Sequence, residues 1–220
     1  QEATKYGGRV HYILGNHEVM NLEYDFRYVH RKYLTLARQI SGKNNPAEAF
    51  PYLMSENNVL VQWLRTRNCM EKIGSTLYVH GGVSAELVAA KMRIDEVNKR
   101  LRTYLEKMND SLYVNDERSA LIIGAMGPLW YRGLANRKTV EYEPAAPKVV
   151  NQALRYYKVK KMVIGHTLMP EVSTDYNGKV IKIDIIQPPQ KRTGKAQALL
   201  MENGTPYRVN DLGERTALQH

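Results

Sequence analysis

A chain of 220 residues, 43% apolar and 25% charged, can close one hydrophobic core and has an ordinary globular composition. No apolar run reaches the ~18 residues of a membrane span, and the single cysteine, Cys69, excludes an internal disulfide and a cysteine-rich zinc site. The net charge of +10 favours phosphate-bearing or acidic partners. Its basic residues are scattered or paired, as in VNKRLRTYLEK, VKKM and QKR, which argues against a nucleic-acid-binding module. The absence of disulfides suits a reducing compartment without excluding the periplasm, so a soluble protein of cytoplasm or periplasm is expected. The opening on Gln1 suggests a processed or trimmed product.

In chain order, RVHYIL (9–14) reads as a short β-type run ended by Gly15. DFRYVHRKYLTLARQI then places Val29, Tyr33, Leu36, Ala37 and Ile40 at helical spacing, predicting a helix with that face inward. SGKNNP is a loop, VLVQWLRTR a short helix, and Cys69 is expected in a core-facing helix through LRTRNCMEKIG. TLYVHGGVS is again an apolar run followed by His and glycines. A long helix carries Ile94, Val97, Leu101, Leu105 and Met108 on one stripe, and NDERSALIIGAMG reads as another short helix. Pro147 opens a helix with Val150, Ala153, Leu154 and Tyr157 inward. KKMVIGHT is a strand stopping at Gly165. Two Asn-Gly dipeptides, in VSTDYNGKVIKIDII and ALLMENGTPYRV, signal hairpins. Helix–strand alternation followed by hairpins predicts a single mixed α/β domain over 1–220, a β-sandwich flanked by helices.

Three of the six histidines repeat one arrangement: ILGNHE, LYVHGG and MVIGHT. Strands ending abruptly at glycine project side chains together at one rim of a sheet, where active sites collect. One such histidine is ordinarily structural, but core packing gives no reason for three. Neutral imidazole is a good nitrogen ligand for transition metals and an amide carbonyl can complete the site, so Asn16, His80 and His166 could converge on one ion. His17, next to Asn16, points elsewhere and is better placed as a proton donor. His11 (mid-strand), His30 (helical) and His220 (terminal) receive no role. Asp25 and Arg27 read as a salt bridge at a helix start or a pocket frame, and Asp184 in a late strand as a solvent-facing alternation partner, with a place facing the site as the alternative.

GNHE (15–18), HGG (80–82) and GHT (165–167), in that order, resemble the calcineurin-like metallophosphoesterases, closest to the phosphoprotein-phosphatase-like branch. GPLWYRG (127–133) and NLEYDFRYVHRKYL resemble the Shewanella-like bacterial phosphatases. The resemblance implies a calcineurin-like fold with a helical insertion at about 85–125. It also implies hydrolysis of phosphomonoesters, on Ser/Thr or Tyr phosphoproteins or small molecules, by metal-bound hydroxide at a pair of divalent ions (Mn, Fe or Zn). Asn16, His80 and His166 would hold the second ion, His17 would protonate the leaving oxygen with Glu18 orienting it, and Arg132 would clamp the phosphoryl group alongside Asn16. A nucleotide or dinucleoside-polyphosphate phosphoesterase is the alternative within the superfamily, and a non-catalytic fragment the alternative outside it.

One departure bears on activity. The family holds its first metal with Asp-x-His and Gly-Asp-x-x-Asp-Arg-Gly motifs upstream of GNHE, and this chain has neither an Asp-x-His nor a Gly-Asp. The N-terminal strands carrying them are thus expected to be missing, the chain being the C-terminal portion of a longer phosphatase. Alone, it is expected to hold at most one cation weakly and to show little activity.

Overall fold

The computed structural model describes residues 2–108, 116–138 and 140–218. Five helices come first: α1 (Glu2–Lys5), α2 (Asn16–Leu22), α3 (Arg31–Ser41), α4 (Pro46–Leu53) and α5 (Val59–Arg65). The caps are legible locally, since Asn45 and Asn58 accept from the backbone two residues on, at 3.0 and 2.9 Å, satisfying donors that a helix start leaves open. Strands β1 (Met70–Ile73) and β2 (Thr76–Val79) follow, then α6 (Ala85–Ala89), α7 (Ile94–Glu106), α8 (Glu117–Ile123) and a 3-10 turn at Gly133–Ala135. After α9 (Pro147–Tyr157) come β3 (Lys161–Ile164), β4 (Ser173–Asp175), β5 (Val180–Lys182), β6 (Gln197–Glu202), β7 (Thr205–Asn210) and β8 (Arg215–Ala217). His220 lies outside the described residues.

The main sheet has the order β1-β2-β3-β5-β4. Its inner strands β2, β3 and β5 are parallel, while β1 and β4 pair antiparallel at the edges. Parallel strands covered on both faces read as continuous apolar runs, and Leu77, Met162, Ile164, Val180 and Ile181 are all buried. The stripe of α7 and the inward face of α9 pack on this core: Val97, Leu101, Leu105, Val150, Ala153, Leu154 and Tyr157 join one cluster. Buried Asn98 ties α7 to β1, its Oδ1 accepting from Cys69 and Met70 N–H (3.0 and 3.2 Å) while its Nδ2 donates to Met70 O (2.8 Å). The predicted hairpins form β4–β5 and β6–β7. The second turns at Asn203 and Gly204, both with positive φ, as the two-residue turn matching strand twist requires. The three-stranded β6-β7-β8 sheet is tied to the body where Val172 N–H donates to Gln197 Oε1 (2.8 Å) and Arg208 pairs with Glu171.

Four expectations are corrected. Residues 9–14 are not a strand: Ile13 makes one isolated bridge to Asn68, because an apolar run becomes a strand only beside a partner, and none stands there among the described residues. His11 therefore lies in irregular chain, its Nδ1 2.5 Å from Glu71. Helix α3 forms, but of its expected inward face only Ala37 is buried, while Tyr33, Leu36 and Ile40 are exposed. Cys69 is fully buried, yet sits between α5 and β1 rather than in a helix. His30 precedes α3 as its N-cap, Nδ1 accepting from Lys32 N–H at 3.2 Å.

Candidate functional site

Parallel β2 and β3 end side by side, with Val79 opposite Ile164, and the next residues deliver His80 and Gly165–His166 to the same rim. Gly165 N–H donates to His80 O at 2.7 Å, fixing the two ends together. His166 takes a left-handed backbone, φ 62°, a sparsely populated state for a residue with a side chain and one that clusters at functional sites. Asn16 arrives from the opposite wall as the first residue of α2. Gly15 before it must lack a side chain, since a Cβ there would lie 2.8 Å from the His80 ring. Glu18 folds back to accept from Gly15 N–H at 2.8 Å, so its carboxylate caps α2.

Asn16, His80 and His166 therefore meet. His80 Nε2 lies 2.8 Å from Asn16 Oδ1 and 3.1 Å from His166 Nδ1, and Asn16 and His166 are buried. Ligands ~2.1 Å from a metal stand about 3 Å apart from one another, the spacing that His80 Nε2 keeps to each of the other two atoms. Burial, reinforced by Arg132 and His17, drops His80 to about 4 and His166 to about 3. Both imidazoles are neutral at pH 7, the state that can ligate. Trp130 braces His166 edge-on with centroids 5.6 Å apart. Among the described residues no three His, Cys, Asp or Glu side chains stand close enough to share a metal ion. The donor set thus fits one cation without a carboxylate, and it does not fit a pair.

A cavity of about 810 Å³ opens over this cluster, lined by His17, Glu18, Arg132, Thr167 and Asp184 together with the three converging residues. Arg132 Nη1 donates to His166 O at 2.7 Å, so the guanidinium is held at the cavity wall. Its loop is anchored further on, where Asn136 Nδ2 donates to Asp175 Oδ1 (3.2 Å) and Asp175 pairs with buried Lys182. Arg137 and Lys138 of that loop also line the cavity. The exposed imidazole of His17 stacks on Tyr28, with centroids 5.1 Å apart and planes 15° from parallel.

Of the two readings of Asp184, the site-facing one holds over the solvent-facing one, since Asp184 lines the cavity. Alternation misleads here because β5 is buried along its whole length. The usable signal was topological: β5 is the third parallel strand, and residues just past its C-terminal end reach the rim that carries His80 and His166. Desolvation holds its carboxyl above the usual range, against the pull of Arg132 and His17. Asp25 and Arg27 form a bidentate pair ahead of α3, with contacts of 2.7–3.0 Å.

The sheet rim thus presents imidazoles, an amide and an arginine around one cavity. Residues 1–170 match the family model for calcineurin-like phosphoesterases, and the chain belongs to that family, whose members generally use two divalent metals. It is similar to Shewanella-like protein phosphatase 2 of Arabidopsis thaliana, 24% identical over 84% of this chain and 55% of that one. An uncharacterized protein of Schizosaccharomyces pombe is 29% identical over 84% of this chain and 53% of its own length. The crystal structure of the cold-active protein-tyrosine phosphatase of a psychrophilic Shewanella species superposes with TM-score 0.83 at 31% identity, covering all of this chain and 61% of that one. The fold is that of the calcineurin-like phosphoesterases, and the chain spans about half the length of the two curated relatives. Among the described residues no helix is long and apolar enough to cross a membrane.

Proposed function

We propose that this chain carries half of the centre of a metal-dependent phosphomonoester hydrolase acting on phosphoproteins or small phosphomonoesters. The supporting observation is that Asn16 Oδ1 and His166 Nδ1 both lie within 3.1 Å of His80 Nε2. These three atoms would hold one divalent cation, with manganese, iron and zinc all compatible with N/O donors. Such a cation supplies Lewis-acid stabilisation of charge on the phosphoryl oxygens. Arg132 binds those oxygens through the part of its planar fork not engaged by His166. His17, exposed at the cavity edge, hands a proton to the departing oxygen. Glu18 acts indirectly, by fixing the start of α2 and hence Asn16 and His17.

Calorimetric titration of the chain with Mn²⁺ or Zn²⁺ tests the centre. Without a carboxylate donor the expected dissociation constant is about micromolar or weaker, and His80→Ala and His166→Ala should each abolish the binding heat. Binding indifferent to both substitutions overturns the ligand assignment. In a longer phosphatase that carries this chain together with the other half of the centre, His17→Ala should slow hydrolysis of an alkyl phosphate far more than that of p-nitrophenyl phosphate, which leaves without help. Equal losses overturn the acid role.

A further inference from the structure

A second cavity, of about 270 Å³, adjoins the first and shares one residue with it, His17. Its walls are Tyr28, Tyr33, Val29 and Met20, with Asn21 and His30 among the polar residues around them. Tyr28 and Tyr33 are 64% and 52% exposed, so two aromatic rings stand open beside the proposed proton donor. Helix α3 and the turn before it hold them there. His30 caps the helix, Tyr33 N–H donates to His30 O and Val29 N–H to Phe26 O (2.9 and 3.0 Å). Tyr28 also stacks its face on the imidazole of His17.

We infer that this side cavity is the leaving-group subsite, and that Tyr28 and Tyr33 are specificity-determining residues that seat an aromatic ring attached to the ester oxygen. The inference rests on the role of His17 proposed above. A proton donor faces the oxygen that departs, so whatever that oxygen carries extends to the donor's side of the site, and the space on that side is this cavity. A cavity of roughly 150 Å³ already admits a benzene ring, so the volume suffices. The walls supply what a ring prefers, namely offset or edge contacts with other rings and an apolar floor. An alkyl ester such as a serine side chain reaches its backbone within two carbons of the oxygen. It would bring amide groups, not a ring, against Tyr28 and Met20.

The test compares phenyl phosphate, ethyl phosphate and inorganic phosphate binding to the full chain by calorimetry and ligand-observed NMR. Phenyl phosphate should bind about tenfold more tightly than ethyl phosphate, the increment expected of one aromatic contact set. Tyr28→Ala combined with Tyr33→Ala should bring the ratio close to one, Tyr28→Phe should keep it, and the phenyl protons should show NOEs to both tyrosine rings. These tyrosines are exposed, so their substitution leaves the core intact. Equal affinities in the parent chain overturn the subsite, as does a preference that survives the double substitution or phenyl NOEs to other residues only. Failure of the underlying reading looks different. Inorganic phosphate that does not bind, or binds equally well to Arg132→Ala, removes the phosphoryl site itself and the subsite with it.

Discussion

The sheet with α7 and α9 and the stretch from α1 to α5 are built to different standards. In the first, Leu77, Leu101, Leu105 and Met162 are wholly buried, and even a polar intruder, Asn98, has its bonds filled. In the second, Val59 is 75% and Leu60 70% exposed, and Tyr6, Val10 and Trp63 also lie open. Amphipathic helices normally turn such faces inward, and here these side chains lie open. The candidate site straddles the two regions. His80, Arg132 and His166 come from the packed part, Asn16 and His17 from α2, which joins that core through Val19 and Leu22. One wall is thus set by the packed part itself and the other by how α2 rests on it.

The largest effect that could break this contrast is on stability. Leu101→Ala should cost about 3 kcal/mol, whereas Leu60→Ala should stay within about 0.5 kcal/mol, both read from urea midpoints. Similar losses would mean that the open face is packed in solution. Next comes the seam. Gly15→Ala places a methyl against the His80 ring, and such overpacking costs about 1–3 kcal/mol. It should also weaken Zn²⁺ binding, and unchanged calorimetry would show that the two walls move independently. The smallest effect concerns Glu23, where α2 meets α7. Tyr104 donates to its carboxylate at 2.7 Å, but burial still holds the Glu23 carboxyl above its usual range. The folded chain therefore binds that proton more tightly than the unfolded chain. The resulting penalty is full above the folded pKa and vanishes below the unfolded value of about 4.3. Glu23→Gln should raise the melting temperature by a few degrees at pH 7 and by nothing at pH 3.5. A gain at both pH values would assign the effect to packing instead.

The convergence of Asn16, His80 and His166 was legible because each follows or adjoins a glycine at the end of an apolar run, and parallel strands bring such ends together. Asp184 was legible only as the weaker of two readings, since alternation presumes one wet face and β5 has none. The strand expected at 9–14 failed for a related reason: β propensity describes a surface that fits a neighbour, not the presence of one. In α3 the 3.6-residue period located the apolar stripe, but periodicity is silent on whether anything lies against it. Tyr28 and the side cavity could not be read at all, because a stack between residues eleven apart depends on the turn at 23–30.

Cys69 gives the molecule a built-in clock. Its sulfur has no solvent exposure, and desolvation pushes the thiol to about 12, so almost no thiolate exists in the native state to react with an alkylating reagent. Modification must wait for β1 to detach from α7, where Asn98 clasps the backbone on either side of the sulfur. The labelling rate of this one atom consequently counts openings of the best-packed region, and any ligand that braces the rim above it should slow the count.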